Sequence, residues 1–169
     1  MREDEGYAPG WAGLADAYGF MTLFGFLPAD VGLPKAKAAA LRAIALDETL
    51  SEAHVSLAGI SLHLEWAWAV SEAEVRRAIA LNPNNAMAHQ LYGYYLSALG
   101  QFDTAIAEMR RALEIDPLSA NKQNSLAATF YRAGRYDEAL EHFRRVPDPD
   151  ANSEFRHRRM AAIYERKGM

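Results

Sequence analysis

With 169 residues, 50% of them hydrophobic and 24% charged, the chain has enough apolar mass for a core and too much to stay disordered. The absence of cysteine removes disulfides and cysteine metal sites and fits a reducing, cytoplasmic compartment. A net charge of -4 argues against nucleic-acid binding through a broad basic surface. No apolar run approaches the roughly 18 residues of a membrane span, and Met1-Arg2-Glu3-Asp4-Glu5 lacks the apolar stretch of a signal peptide.

Asp4 to Tyr7 stand ahead of the first helix as Asp47-Glu48-Thr49-Leu50, Asn82-Pro83-Asn84-Asn85 and Asp116-Pro117-Leu118-Ser119 stand ahead of later ones, and read as the tail of an earlier unit. The first unit covers about residues 8–50. Its first helix is expected from Ala8 through Trp11, Leu14, Ala15 and Tyr18 to near Phe20. Its second is expected from Pro34, a residue suited to a helix start, to about Leu46, with Ala36, Ala40 and Ala43 on one face. Between them an insertion at 20–33 is unusually apolar for a connection. Phe20, Leu23, Phe24, Phe26 and Leu27 are expected to extend the helix and cover one end of the molecule; the alternative is a ligand-facing flap.

The second unit, 51–85, places Leu57 and Ala58 in its first helix and Ser71, Val75, Ala78 and Pro83 in or after its second. At its turn sits Glu65-Trp66-Ala67-Trp68. The two tryptophans are expected to wedge the hairpin closed, the alternative being an exposed aromatic patch. The third unit, 86–119, shows two apolar helical patterns: Met87, Leu91, Tyr95 and Ala98 before Gly100, then Phe102, Ala105, Ile106, Met109, Ala112 and Leu113 before Pro117. In the fourth, 120–153, the second helix runs from Tyr136 to Val146 and is expected to stop at Pro147 and Pro149. Residues 154–169 read as a partial unit or capping helix with Met160, Ala161 and Tyr164 in packing positions.

A shift of 34 residues maps Gly93 onto Ala127, Gly100 onto Gly134, Phe102 onto Tyr136, Ala105 onto Ala139 and Met109 onto Phe143. A helical hairpin repeated at that period resembles the tetratricopeptide repeat, whose signature falls on His89, Tyr92, Gly93, Leu96, Ala105, Met109 and Pro117. The next copy supplies Leu126, Ala127, Phe130, Ala139 and Phe143, and the first Trp11, Leu14, Ala15 and Tyr18. The resemblance implies an all-α, right-handed α-solenoid: a single array over 1–169 of about four units plus a final single helix, with first helices lining a concave groove. The long first unit and the tryptophans also resemble, loosely, arrays attached to bacterial signalling proteins such as winged-helix regulators, nucleotide cyclases and serine/threonine kinases. The 169 residues carry none of those effector domains, so no such activity is assigned.

No enzyme chemistry is legible. His54, His63, His89, His142 and His157 form no HExxH pair, and no GxSxG or phosphate-binding glycine loop is present, so neither catalysis nor a metal or cofactor is expected. His54 and His89 take aromatic positions of the repeat and are expected to pack. What remains is binding by shape. Gln90, Tyr94 and Ser97 share one helical face, opposite Tyr92 and Leu96; Asn124 and Tyr131 are equivalents in the next unit and Arg158 in the last. With Met87, Asn121, Arg132 and Arg166 alongside, these form the expected groove, whose late arginines, Arg132, Arg158 and Arg166, converge to receive carboxylates.

The expected function is therefore a protein-protein interaction module that binds a peptide or partner protein of unidentified sequence, without nucleic acid or membrane. The alternative is a structural or oligomerisation segment of a larger bacterial regulatory protein, stacking or self-associating through its array ends. The family's chaperone-tail binders carry lysine and asparagine pairs on successive first helices, and the second and third units lack them.

Overall fold

The computed structural model describes residues 6–146 and 153–168, and these form helices without strands. In chain order they are α1 (Ala8–Leu23), α2 (Ala29–Leu46), α3 (Ser51–His63), α4 (Trp68–Leu81), α5 (Ala86–Ala98), α6 (Phe102–Ile115), α7 (Ala120–Arg132), α8 (Tyr136–Arg145) and α9 (Ser153–Arg166). Asp4, Pro147, Pro149 and the side chain of Phe155, all with roles in the repeat pattern, lie outside the described residues. Packing divides the chain into two compact units, residues 1–91 and 92–169.

In the first unit α1 packs on α2 and α3, and α3 on α4. Ala15, Ala36, Ala39 and Ala40 meet Leu57 and Ile60 in one buried cluster, and Ala12, Ala43 and Ala53 form another. Alanine at these crossings lets the helices approach closely, while the larger residues fill the layer between hairpins. Two of the seams carry polar bonds between elements. Ser56 Oγ donates to the Asp16 carboxylate at 2.6 Å, joining α3 to α1. Asn85 Oδ1 caps α5 by accepting from the backbone of Met87 and Ala88, and Asn85 Nδ2 donates to Ser51 Oγ at 2.8 Å. His54 and His89 are buried, as the packing expectation requires. Each holds a linker, His54 Nε2 to the Glu48 carbonyl and His89 Nε2 to that of Pro83, both at 3.0 Å.

The insertion extends the first helix, as expected, and starts the second one early. It lengthens both helices of the first hairpin: α1 continues to Leu23, α2 begins at Ala29, and Pro34 lies inside α2. The Pro28 carbonyl accepts from the backbone N–H of Val31 and Gly32, so the helix is already turning before Pro34 arrives. Gly32 permits the crossing, because a Cβ there would lie 1.8 Å from Thr22 Oγ1. Phe20, Leu23, Phe24 and Phe26 do not cover the molecule's end; all four are exposed. The reason is geometric. A Cβ at Gly19 would stand 3.8 Å from Ile60, near the end of α3, so the hairpin beyond Gly19 runs past its neighbour.

The tryptophans depart from expectation too. After α1, α5 and α7 the chain turns through glycines in the left-handed region, Gly25 at φ 76°, Gly100 at 76° and Gly134 at 75°. The turn after α3 is one residue longer than those after α5 and α7 and puts Trp66 there, at φ 57°. Trp66 is exposed and Trp68 half-buried, their rings 6.0 Å apart, so the pair does not wedge the hairpin. A side chain in this region costs about 1–2 kcal/mol. Trp66→Gly is therefore expected to stabilise the chain by about 1 kcal/mol, read as a higher denaturant midpoint at unchanged slope.

The second unit is centred on Phe130, Phe143, Met109, Leu126 and Ile163, all wholly buried, with Ala127 facing Ala139 across the α7–α8 hairpin. Gly93 holds α5 against α6, where a Cβ would come within 2.9 Å of Met109 and 3.2 Å of the Ala105 carbonyl. Ser119 caps α7, accepting from the Lys122 backbone. α9 departs from expectation at one of its three packing positions, Ala161. Ile163 enters the core, Met160 and Tyr164 are half-buried against it, and Ala161 is exposed. Ala161 is 34 residues after Ala127, but among the described residues no helix follows α9 to cover it.

Candidate functional site

In the second unit the first-helix positions Tyr94 to Ala98, α7 and α9 bring together tyrosines and arginines. The Tyr94 hydroxyl hydrogen-bonds Ser125 Oγ at 2.5 Å, and Ser125 donates to the Asn121 carbonyl at 2.8 Å. Further along the same seam Arg132 Nη1 donates to Ser97 Oγ at 3.3 Å. Tyr131 is the hub beyond it. The Arg159 guanidinium lies over its ring at 5.6 Å, and its other neighbour is Tyr136, 5.8 Å away by ring centroid. Arg166 Nη1 donates to the Tyr136 hydroxyl at 2.5 Å, with its guanidinium 5.7 Å from the centre of that ring.

The charges act on one another. Burial, then repulsion from Arg132, pushes the Arg159 guanidinium down to about 10, against a weaker opposite pull from the Tyr131 and Tyr94 phenols. Arg166 is raised, first by its hydrogen bond to Tyr136 and then by the Tyr136 and Tyr131 phenols. A half-buried guanidinium with a second one beside it and aromatic faces around it is suited to a carboxylate, which can accept from both forks while apolar groups lie on the rings.

The structure sorts the expected groove residues. Tyr94, Tyr131, Arg132 and Arg166 come together. Ser97 and Asn124 are buried, so they line the helix seam more than they face solvent, while Asn121 is exposed. Met87, exposed, and Gln90, buried, belong to the first unit. Arg158 does not converge with the other arginines: it is exposed and pairs with Glu154 on its own helix at 2.6 Å. Arg159, one turn before the buried Ile163, lies over Tyr131 instead. The missed signal was the 34-residue spacing itself, which maps Arg159 onto the buried Ser125 and Ile163 onto the buried Thr129. Among the described residues no group of three His, Cys, Asp or Glu could hold a metal ion, and no helix is long and apolar enough to cross a membrane.

Helical hairpins that repeat every 34 residues and pack through small residues define a helical-repeat protein. The family signature described as tetratricopeptide repeat matches residues 93–154, and a second form of it matches residues 75–107. Tetratricopeptide repeats are thus shown within residues 75–154. Solved structures agree on the fold. TTC0263, a thermophilic tetratricopeptide-repeat protein of Thermus thermophilus, matches at TM-score 0.77 and 18% identity, over 97% of this chain and 84% of that one. The pilF protein of Pseudomonas aeruginosa matches at 0.72 and 22%, over 94% and 71%. YrrB, a tetratricopeptide-repeat protein with an unusual peptide-binding site, matches at 0.64 and 18%, over 98% and 80%. A search of curated proteins finds no match. The fold is that of an all-α helical solenoid built for protein-protein interaction, a class whose members are generally non-catalytic scaffolds.

Proposed function

We propose that the chain binds a peptide or an extended segment of a partner protein along its first helices, with Tyr94, Tyr131, Arg132, Arg159 and Arg166 as the principal contacts. The observation that carries this is the Arg159 guanidinium lying over Tyr131 in the field of Arg132. Like charges held together favour an anion, so the ligand presents acidic side chains or a free terminal carboxylate. Ser97, Asn121 and Asn124 are secondary contacts in this reading. That YrrB is described by a peptide-binding site supports it as an analogy of fold.

A peptide array followed by titration tests the reading. Acidic peptides should bind at micromolar strength, weaken with salt, and lose about tenfold in affinity on Arg132→Glu or Arg159→Glu. Arg158→Glu should leave affinity within about twofold, because that residue is solvated and paired on its own helix. Binding that survives both reversals would move the ligand away from the arginines. The second reading, stacking of array ends within a larger bacterial regulatory protein, draws on the exposed Ala161 face of α9. Tyr164→Glu is its probe.

A further inference from the structure

The first unit carries an apolar edge that peptide binding does not use. At the tip of the α1–α2 hairpin Phe20 is 60% exposed, Phe24 60% and Phe26 71%, with Leu23 exposed beside them. Phe20 and Phe24 stack on each other at 4.3 Å, and no charged residue occurs between Asp16 and Asp30. The α3–α4 turn presents Trp66, 68% exposed, on the same edge. The α3–α4 turn lies against α2: Lys37 pairs with Glu65 at 2.7 Å, and Leu64 packs on the cluster that holds Tyr18, Leu33 and Ala36.

We propose that this edge is a self-association surface on which a second copy of the chain docks, tip against tip, about a two-fold axis. Area is the first argument. Aromatic side chains bury roughly 200 Å² each, so the four rings at these exposures offer roughly 500 Å² per copy before the aliphatic neighbours are included. Two copies reach about 1,000 Å², the lower bound of a specific interface, whereas a monomer rarely exposes a contiguous apolar patch beyond a few hundred Å². Charge is the second. A two-fold contact sets a surface against itself, so a face of one sign would repel its copy. This one is neutral: Lys37 and Glu65 compensate each other, and Asp30 and Lys35 of opposite sign flank the tip. Backbone is the third. Trp66 holds a left-handed conformation that glycine occupies in the other first-helix turns, and keeping an exposed indole there is explained by a contact made outside the fold.

Sedimentation velocity of the whole chain over a concentration series is the test. The parent chain should pass from monomer to dimer, and Trp66→Gly and Phe24→Ser should each weaken the dimer by about tenfold or more. Tyr164→Glu should leave it unchanged. Denaturant melts accompany the series, and Trp66→Gly should unfold no earlier than the parent, which separates a lost contact from a lost fold. A chain monomeric throughout overturns the proposal, as does association that survives both substitutions or that responds to Tyr164→Glu alone. A monomer that co-sediments with phosphatidylcholine vesicles through Phe24 and Trp66 also overturns it and gives the edge to a lipid surface.

Discussion

Phe130→Ala is expected to cost about 3–5 kcal/mol of stability, as the loss of a large ring from a closed core does. The ring is wholly buried in the middle of α7, where it touches the core of the second unit from several sides. His142 stacks on it at 5.2 Å with an interplanar angle of 14°, and the guanidiniums of Arg135 and Arg110 stand 4.9 and 5.6 Å from its centre. Removing it leaves a cavity and deprives those groups of the aromatic face they use. Met109, unbranched and flexible, can fill part of the space, but Leu126 and Phe143 are held by α7 and α8 and cannot follow. Denaturant unfolding of the parent and the variant gives the value. A cost under about 1 kcal/mol would show that the ring does not sit at the centre of this core, and Arg158→Ala, on the solvated face of α9, should fall within about 0.5 kcal/mol of the parent.

What was legible in the sequence follows from which constraints are local. Gly93, Ala105, Ala127 and Ala139 announce the repeat because two helices in close contact admit only small residues there, whatever surrounds them. The caps and linkers, Asn85 and Ser119 among them, are legible for a similar reason. Local pattern misleads in the first hairpin, where tertiary geometry decides. Pro34 is a good helix start, yet Pro28 begins the turn and the Gly32–Thr22 crossing fixes it. Phe20, Leu23, Phe24, Phe26 and Trp66 read as covering or wedging residues because they are apolar, and only the tertiary arrangement leaves them exposed. Within the candidate site, α7 carries Tyr131 and Arg132 at its end, but Asn124 is buried in the helix seam. For α9 the 34-residue count maps Ile163 onto the buried Thr129 and agrees with its burial, but among the described residues no helix covers Ala161 as α8 covers Ala127, and Arg158 pairs with Glu154 on its own helix.

Ala127→Leu is expected to cost about 1–3 kcal/mol, and its repeat equivalent supplies the control. Ala127 is wholly buried against Ala139 and has no space for three more carbons without moving α7 from α8. One unit earlier the same position is Gly93, where even a single Cβ would press on Met109 and the Ala105 carbonyl. One unit later it is Ala161, identical in the repeat and exposed. The same substitution, Ala161→Leu, should therefore change stability by no more than about 0.5 kcal/mol. Matched denaturant melts of the two variants test the exposure of Ala161 directly. Similar large losses would mean that Ala161 packs as Ala127 does. A loss at Ala127 alone assigns the tight crossing to the α7–α8 hairpin, where Ala139 closes on Ala127 and no described helix does the same for Ala161.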